Sequence, residues 1–138
     1  MSLPPRLFCD SSFFYACFNP FEKNHARAHE LGEEAAATGT SLFTTWDIVS
    51  ETVTLLRYRS SVDDALVFLD EVKPRLRIVT YGNRVRTEAE DLFRRRARQR
   101  RLSLCDAISV VVVTTILGHM ACLAFDRDFR GLGLTVIV

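Results

Sequence analysis

No apolar run in this 138-residue chain reaches the roughly 20 residues that a bilayer-spanning helix needs. The longest, Ile108 to Leu117, is interrupted by Ser109, Thr114 and Thr115. The opening MSLPPR carries no stretch long enough for a signal peptide, which gives the expectation of a cytoplasmic protein with no membrane partner. The cysteines (Cys9, Cys17, Cys105, Cys122) include no close pair at metal-ligand spacing. Each lies in an apolar segment, so they read as small core residues rather than zinc ligands or a disulfide framework. Internal repeats, linkers and low-complexity tracts are missing too, and a net charge of +1 favours no particular partner. What remains, at 48% hydrophobic and 25% charged residues, is the make-up of one soluble domain over 1–138, large enough to bury a core unaided.

Charge is unevenly distributed. Between Arg84 and Arg101 eight arginines face three acids, Glu88, Glu90 and Asp91, whereas Glu22 to Glu34 leans acidic. Val85 to Arg101 reads as a long basic helix with Val85, Ala89, Leu92, Phe93 and Ala97 inward. Its outer arginines are either a solvated face or a surface for phosphates, with Arg94, Arg95 and Arg98 as candidate contacts.

Along the chain, short apolar runs alternate with helical patterns. Leu7-Phe8-Cys9 suits a buried strand, and Ser12 to Phe18 a short helix closed by Asn19-Pro20. A helix from about Phe21 to Thr38 ends at Gly39, and its His25 and His29, four apart but without a third ligand, read as exposed. Ser41 to Phe43 is a strand. Thr44-Thr45-Trp46-Asp47 then matches an acidic capping box opening a helix to about Arg59, with Ile48, Glu51, Leu55 and Tyr58 as its apolar stripe. Ser60 to Asp64 starts a helix that Pro74 ends, and Leu76 to Thr80 alternates as a strand. Ser103 to Gly118 is β-branched from Val110 to Ile116, yet Ser103 and Asp106 form a capping-box pair and Gly118 stands where a C-cap belongs. That predicts a helix apolar nearly all round. Ala121 to Phe125 and Leu134 to Val138 close the chain as strands. The alternation predicts an α/β three-layer sandwich, a central parallel sheet with helices on both faces.

Four carboxylates sit in apolar surroundings: Asp10, Glu51, Asp106 and Asp126. Each has a structural explanation. Asp10 can cap a helix, Asp106 can serve the dipole of its own, Asp126 with Asp128 can form an Asx turn, and Glu51 can pair with an arginine. Taken together the four point elsewhere. Asp10 and Asp126 each end a buried strand, and parallel sheets place ligands beyond the carboxyl ends of their strands. Two like charges 4 Å apart repel by about 4 kcal/mol at an effective dielectric near 20. Structure gains nothing from such a cluster, whereas a divalent cation offsets it. Oxygen donors without His or Cys favour Mg²⁺ or Mn²⁺, which suit phosphodiester hydrolysis. Asp10 is therefore read as a metal ligand, with the cap left to Ser11 or Ser12.

The segments FCDSSFFYACF, TTWDIVSETVTLLR, LSLCDAISVVVV and AFDRDFRGLGLTVI, in this order and over nearly the whole chain, resemble the PIN-domain nucleases, especially VapC-type toxins of bacterial toxin–antitoxin pairs. The resemblance implies a metal-dependent endoribonuclease that leaves 5′-phosphate and 3′-hydroxyl ends. It makes Asp10, Glu51, Asp106 and Asp126 the acids around one or two Mg²⁺ or Mn²⁺ ions, Asp128 a frequent fifth, and Ser12 a supporting hydroxyl. It further implies an RNA substrate, a homodimer and a cognate antitoxin that blocks the acidic groove. The chain departs from many relatives at Glu22-Lys23-Asn24-His25, where they carry an aspartate before an Asn-His pair; Glu22 is given no catalytic role. A housekeeping RNA-processing nuclease would share every catalytic residue. A silent binding module would not need the acids, and a haloacid-dehalogenase-like phosphatase would want an aspartate where Ser12 stands.

Overall fold

The structure, a computed structural model, describes residues 3–138; Met1 and Ser2, at the head of the segment read above for a leader, lie outside the described residues. Its elements run β1 (Arg6–Cys9), α1 (Ser11–Phe18), α2 (His25–Thr38), β2 (Ser41–Thr45), α3 (Trp46–Arg59), α4 (Val62–Val67), β3 (Arg77–Val79), α5 (Asn83–Arg96), α6 (Leu104–Thr115), β4 (Cys122–Leu123), α7 (Arg127–Gly131) and β5 (Val136–Ile137). The end of α4 widens into a π-helical turn, Phe68–Val72, and tightens into a 3₁₀ turn, Lys73–Arg75, before β3.

The strands form one sheet in the order β3-β2-β1-β4-β5, with every pairing parallel. Strand β1 is the hinge of this order: Phe8 pairs with Phe43 on one side and Cys122 on the other, and Leu7, Phe8 and Cys9 are fully buried. Parallel crossovers are right-handed. The connections β1→β2→β3 step one way along the sheet, so they carry α1 to α4 over one face. The connections β3→β4→β5 step back, carrying α5 to α7 over the other. Packing agrees, since α1 lies on α2 and α3, α3 on α4, and α5 on α6. This is the predicted three-layer α/β sandwich. The direction of winding reverses between β1 and β4, and a crevice opens beyond their carboxyl ends.

Burial decides α6. Valine costs up to roughly 0.7 kcal/mol more than alanine in a helix, but a fully buried valine gains about 1.5 kcal/mol or more. Ala107 through Val113 are all buried, with α5 packed against α6, so packing overrides the β-branched preference. Among the described residues no helix is long and apolar enough to cross a membrane.

Several sequence-predicted boundaries move. Helix α2 begins at His25, not Phe21, whose side chain is 95% exposed on a turn held by Asn19; the Asn19 carboxamide accepts from the Phe21 N–H and donates to the Tyr15 hydroxyl. His25 is half-buried, its Nδ1 2.7 Å from the Ala16 carbonyl, so it ties α2 to α1, and of this pair His29 alone is exposed. The capping box at Thr44–Asp47 does not form. Thr45 is the N-cap and accepts from Ile48 N–H, Thr44 donates to the Cys9 carbonyl, and Asp47 accepts from the Tyr81 hydroxyl. Helix α5 stops at Arg96 rather than Arg101, because the chain must reverse there to enter α6 through its cap, Ser103. At the far end of α6 the C-cap is Ile116; Gly118 and His119, both at positive φ (61° and 60°), turn the chain towards β4.

Candidate active site

Asp10 follows β1 and is the N-cap of α1, not Ser11 or Ser12. Its Oδ2 accepts from the Ser12 backbone N–H at 3.1 Å and from the Ser12 hydroxyl at 2.6 Å. The Ser12 hydroxyl oxygen accepts in turn from the Phe125 N–H at 2.9 Å, so one serine ties the end of β1 to the segment after β4. Asp126, next along that segment, caps α7 by accepting from the Asp128 N–H at 2.9 Å. Asp106 forms the predicted capping box: it accepts from Ser103 N–H at 3.1 Å, while the Ser103 hydroxyl accepts from Asp106 N–H at 3.0 Å. Each cap uses a single carboxylate oxygen. The other oxygen of Asp10, Asp106 and Asp126 carries no hydrogen bond among the described residues.

Glu51 enters from α3. The Ser11 hydroxyl donates to its Oε1 at 3.1 Å, while Oε2 is buried with no partner among the described residues. All four carboxylates line one cavity of about 380 Å³, where they are joined by a fifth, Glu22, and by Ser11, Ser12, Tyr15, Lys23, Asn24, Leu55, Arg59, Ser103 and Phe125. Asp128 does not line it; its backbone serves the Asp126 cap. On α3 the pocket-facing stripe is Glu51, Leu55, Arg59, at steps of four, and the predicted Tyr58 is 81% exposed instead. Arg59 was legible in that spacing. Lys23 and Asn24 were not, because they reach the pocket from an irregular turn.

The pocket is electrostatically loaded. Burial raises the Asp10 carboxyl to about 7; the charges of Asp106 and Glu51 add to this, and the Ser12 hydroxyl and N–H oppose it. Asp106 is pushed up to about 6, by burial first and then by Asp126 and Glu51, against the bonds from Ser103. Cys105, beside Glu51, has its thiol pushed far up by burial, with Glu51 adding to it. Burial thus dominates at both Asp10 and Asp106, and the neighbouring carboxylates add to it.

The basic residues expected to contact substrate are not at this pocket. Arg94 is paired with Asp91 at 2.8 Å and reaches Glu90 at 3.9 Å. Arg95 lines a separate hollow between α5 and α6, and Arg98 lies in the turn after α5.

A family model described as the PIN domain matches residues 7–133, a span that includes all four carboxylates. The chain belongs to the PIN-domain family. No curated protein matches it in sequence. Among solved structures it is similar to the crystal structure of Mycobacterium tuberculosis VapC20, described as a Sarcin-Ricin loop cleaving toxin. The TM-score is 0.80, with 24% identity over 94% of this chain and 96% of that one. At that identity the likeness is one of fold.

Could this PIN domain's pocket hold an ion? Among the described residues no three His, Cys, Asp or Glu side chains are grouped closely enough to hold a metal ion. The donor chemistry nevertheless fits a hard divalent cation. The cavity lining offers oxygen donors, carboxylates foremost, and no His or Cys, and Glu51 Oε2 is a buried acceptor with nothing to accept from among the described residues. Buried unpaired carboxylates cost several kcal/mol unless neutralised, and a cation neutralises them.

Proposed function

We propose that this PIN domain is a Mg²⁺- or Mn²⁺-dependent endoribonuclease, acting as the toxin of a toxin–antitoxin pair in the cytoplasm. Asp10, Asp106 and Asp126 hold the ion, with Glu51 ligating directly or through water. The observation that carries this reading is the convergence of four carboxylates from four elements on one cavity, one with an orphaned buried oxygen. A bound Mg²⁺ or Mn²⁺ supplies a Lewis acid for a phosphoryl oxygen and a lowered pKa for a water. The chain's own residues do the positioning. Ser12 fixes the Asp10 carboxylate, Ser11 orients Glu51, and Ser103 holds Asp106, each leaving an oxygen free for the pocket. Because burial raises the Asp10 carboxyl to about 7, metal uptake near neutral pH is coupled to proton release.

RNA as the substrate is supported by the fold shared with VapC20, whose description is that of a Sarcin-Ricin loop cleaving toxin. An antitoxin protein over the pocket and a homodimer as the working unit are what the sequence's resemblance to VapC-type toxins implies. Purified protein should cleave RNA, with a hairpin carrying the sarcin–ricin loop as one probe, only when Mg²⁺ or Mn²⁺ is present. Asp10→Asn and Asp106→Asn should abolish cleavage; activity that persists in chelator would overturn the mechanism. Expression should arrest growth and the Asp10→Asn form should not. Harmless expression of an active nuclease would favour the housekeeping role instead.

A further inference from the structure

Behind Asp126 lies a second cavity, of about 470 Å³, lined by Lys23, Asn24, Arg27, Arg127 and Arg130 with Phe125 and Asp126. It shares Lys23, Asn24, Phe125 and Asp126 with the acidic pocket, so the two hollows have a common wall. We infer that this basic cavity is a subsite for the sugar–phosphate backbone of single-stranded RNA, holding a phosphate next to the one in the acidic pocket. The inference rests on the ribonuclease reading and adds to it the path of the strand.

Four cationic side chains line this cavity with one acidic side chain, Asp126, and with Val138, the last residue of the sequence; three of the four, Lys23, Arg127 and Arg130, are unmatched among the described residues. Arg27 is anchored, with its guanidinium donating to Glu30 at 2.6 Å and to the Val138 carbonyl at 2.9 Å. Lys23, Arg127 and Arg130 have no ion pair among the described residues, and all three are exposed. On α5 Arg84 is matched by Glu88 at 3.5 Å and Arg94 by Asp91 at 2.8 Å; Arg86, Arg95 and Arg96 have no ion pair among the described residues either, but none of them lines this cavity. Unmatched cations gathered around one cavity attract a polyanion, and guanidinium groups fit phosphate oxygens in pairs. Continuity with the acidic pocket selects the polyanion. A strand whose reacting phosphate lies among the carboxylates must continue somewhere, and only a wall containing Asp126 separates it from these cations. The alternation of acid and base also gives direction, since an adjacent phosphate is repelled from one hollow and held by the other.

The test is fluorescence anisotropy with a labelled single-stranded RNA of about 12 nucleotides, the upper part of the site sizes such strands occupy, in chelator over a salt series. The proteins are wild type, Arg127→Ala/Arg130→Ala, and Arg84→Ala/Arg86→Ala in the first turn of α5, outside the lining of the cavity. Every changed side chain is exposed, and melting curves check that each variant folds. Each lost phosphate contact lowers the slope of log K against log salt by about 0.7 for single strands, so the Arg127/Arg130 variant should lose about 1.4. The Arg84/Arg86 variant should keep the wild-type slope. In cleavage assays the Arg127/Arg130 variant should raise KM with kcat held within about twofold, the signature of lost ground-state binding. A wild-type slope for the Arg127/Arg130 variant, or an equal loss in the Arg84/Arg86 variant, overturns the subsite. So does an acidic peptide that wild type binds more tightly than RNA and the Arg127/Arg130 variant releases, which would mark the cavity as a protein-binding site. The two readings fail separately. Cleavage with an unchanged slope removes the subsite alone, whereas a slope that falls as expected without any metal-dependent cleavage removes the ribonuclease alone.

Discussion

Replacing Asp10 with asparagine should stabilise the metal-free protein at pH 8 and leave it nearly unchanged at pH 4. The Asp10 carboxyl, ordinarily near 3.8, is raised to about 7 by burial first and by its acidic neighbours second. A raised folded-state pKa means the folded chain binds this proton more tightly than the unfolded one. The carboxyl's stabilising contribution is therefore complete below about pH 4, declines as pH rises, and is gone above about 7. About three pKa units at 1.36 kcal/mol each set an upper bound near 4 kcal/mol, on the order of 10 °C in Tm for a domain of this size. Asparagine carries no proton to lose and keeps an oxygen for the Ser12 N–H, so the cap survives. Unfolding of both proteins in chelator, at half-unit steps from pH 4 to 8, measures the difference directly. It should open from about zero and flatten above pH 7. High salt should trim only the part due to Asp106 and Glu51 and leave the burial part. A constant offset at every pH, or an asparagine variant less stable at pH 8, would refute the idea that Asp10 is a buried, crowded carboxylate.

Other perturbations probe the same construction. Adding Mn²⁺ at about 100 times its Kd should stabilise wild type by about 2.7 kcal/mol, and Asp10→Asn by much less, as read by thermal shift. Ser12→Ala removes the hydroxyl that donates to Asp10 and accepts from Phe125; a loss of about 1–3 kcal/mol in denaturant unfolding is expected, with the Asp10 pKa moved further up. Ser103→Ala breaks the capping box of α6 and should cost about 1 kcal/mol in the same assay, again with Asp106 titrating higher. Thr52→Val should stabilise by about 1 kcal/mol, because the Thr52 hydroxyl is buried with no partner among the described residues.

The parts of the fold legible in the sequence were those set by hydrophobic pattern. The buried run Leu7 to Cys9 became the central strand, and Ala107 to Val113 became a buried helix against its own β-branched preference, because Ser103 and Asp106 marked its start. The gathering of Asp10, Glu51, Asp106 and Asp126 was legible because each stood out against apolar neighbours. The residues that reach the pocket from the Asn19–Asn24 turn were hidden, since no periodicity governs a turn. Charge density at α5 does not locate the pocket: Arg94 is matched by Glu90 and Asp91, and neither Arg95 nor Arg98 lines the cavity, because a count of arginines carries no information on which side of the fold they face. At Asp10 the sequence poses a choice between cap and ligand, and the choice is false. A carboxylate has two oxygens, and the fold occupies only one of them.

That division of labour changes what substitution at these positions means for a lineage. Asp10, Asp106 and Asp126 each begin a helix, so a descendant that abandoned catalysis would still be selected to keep an oxygen acceptor at all three. Glu51 starts no helix, and its buried Oε2 is a standing liability in the absence of a cation. Once the need for an ion is lifted, Glu51 is the acid the fold gains most by discarding. Among descendants of such a chain it is the residue to inspect first, because its loss records retirement from catalysis while its persistence records continued service.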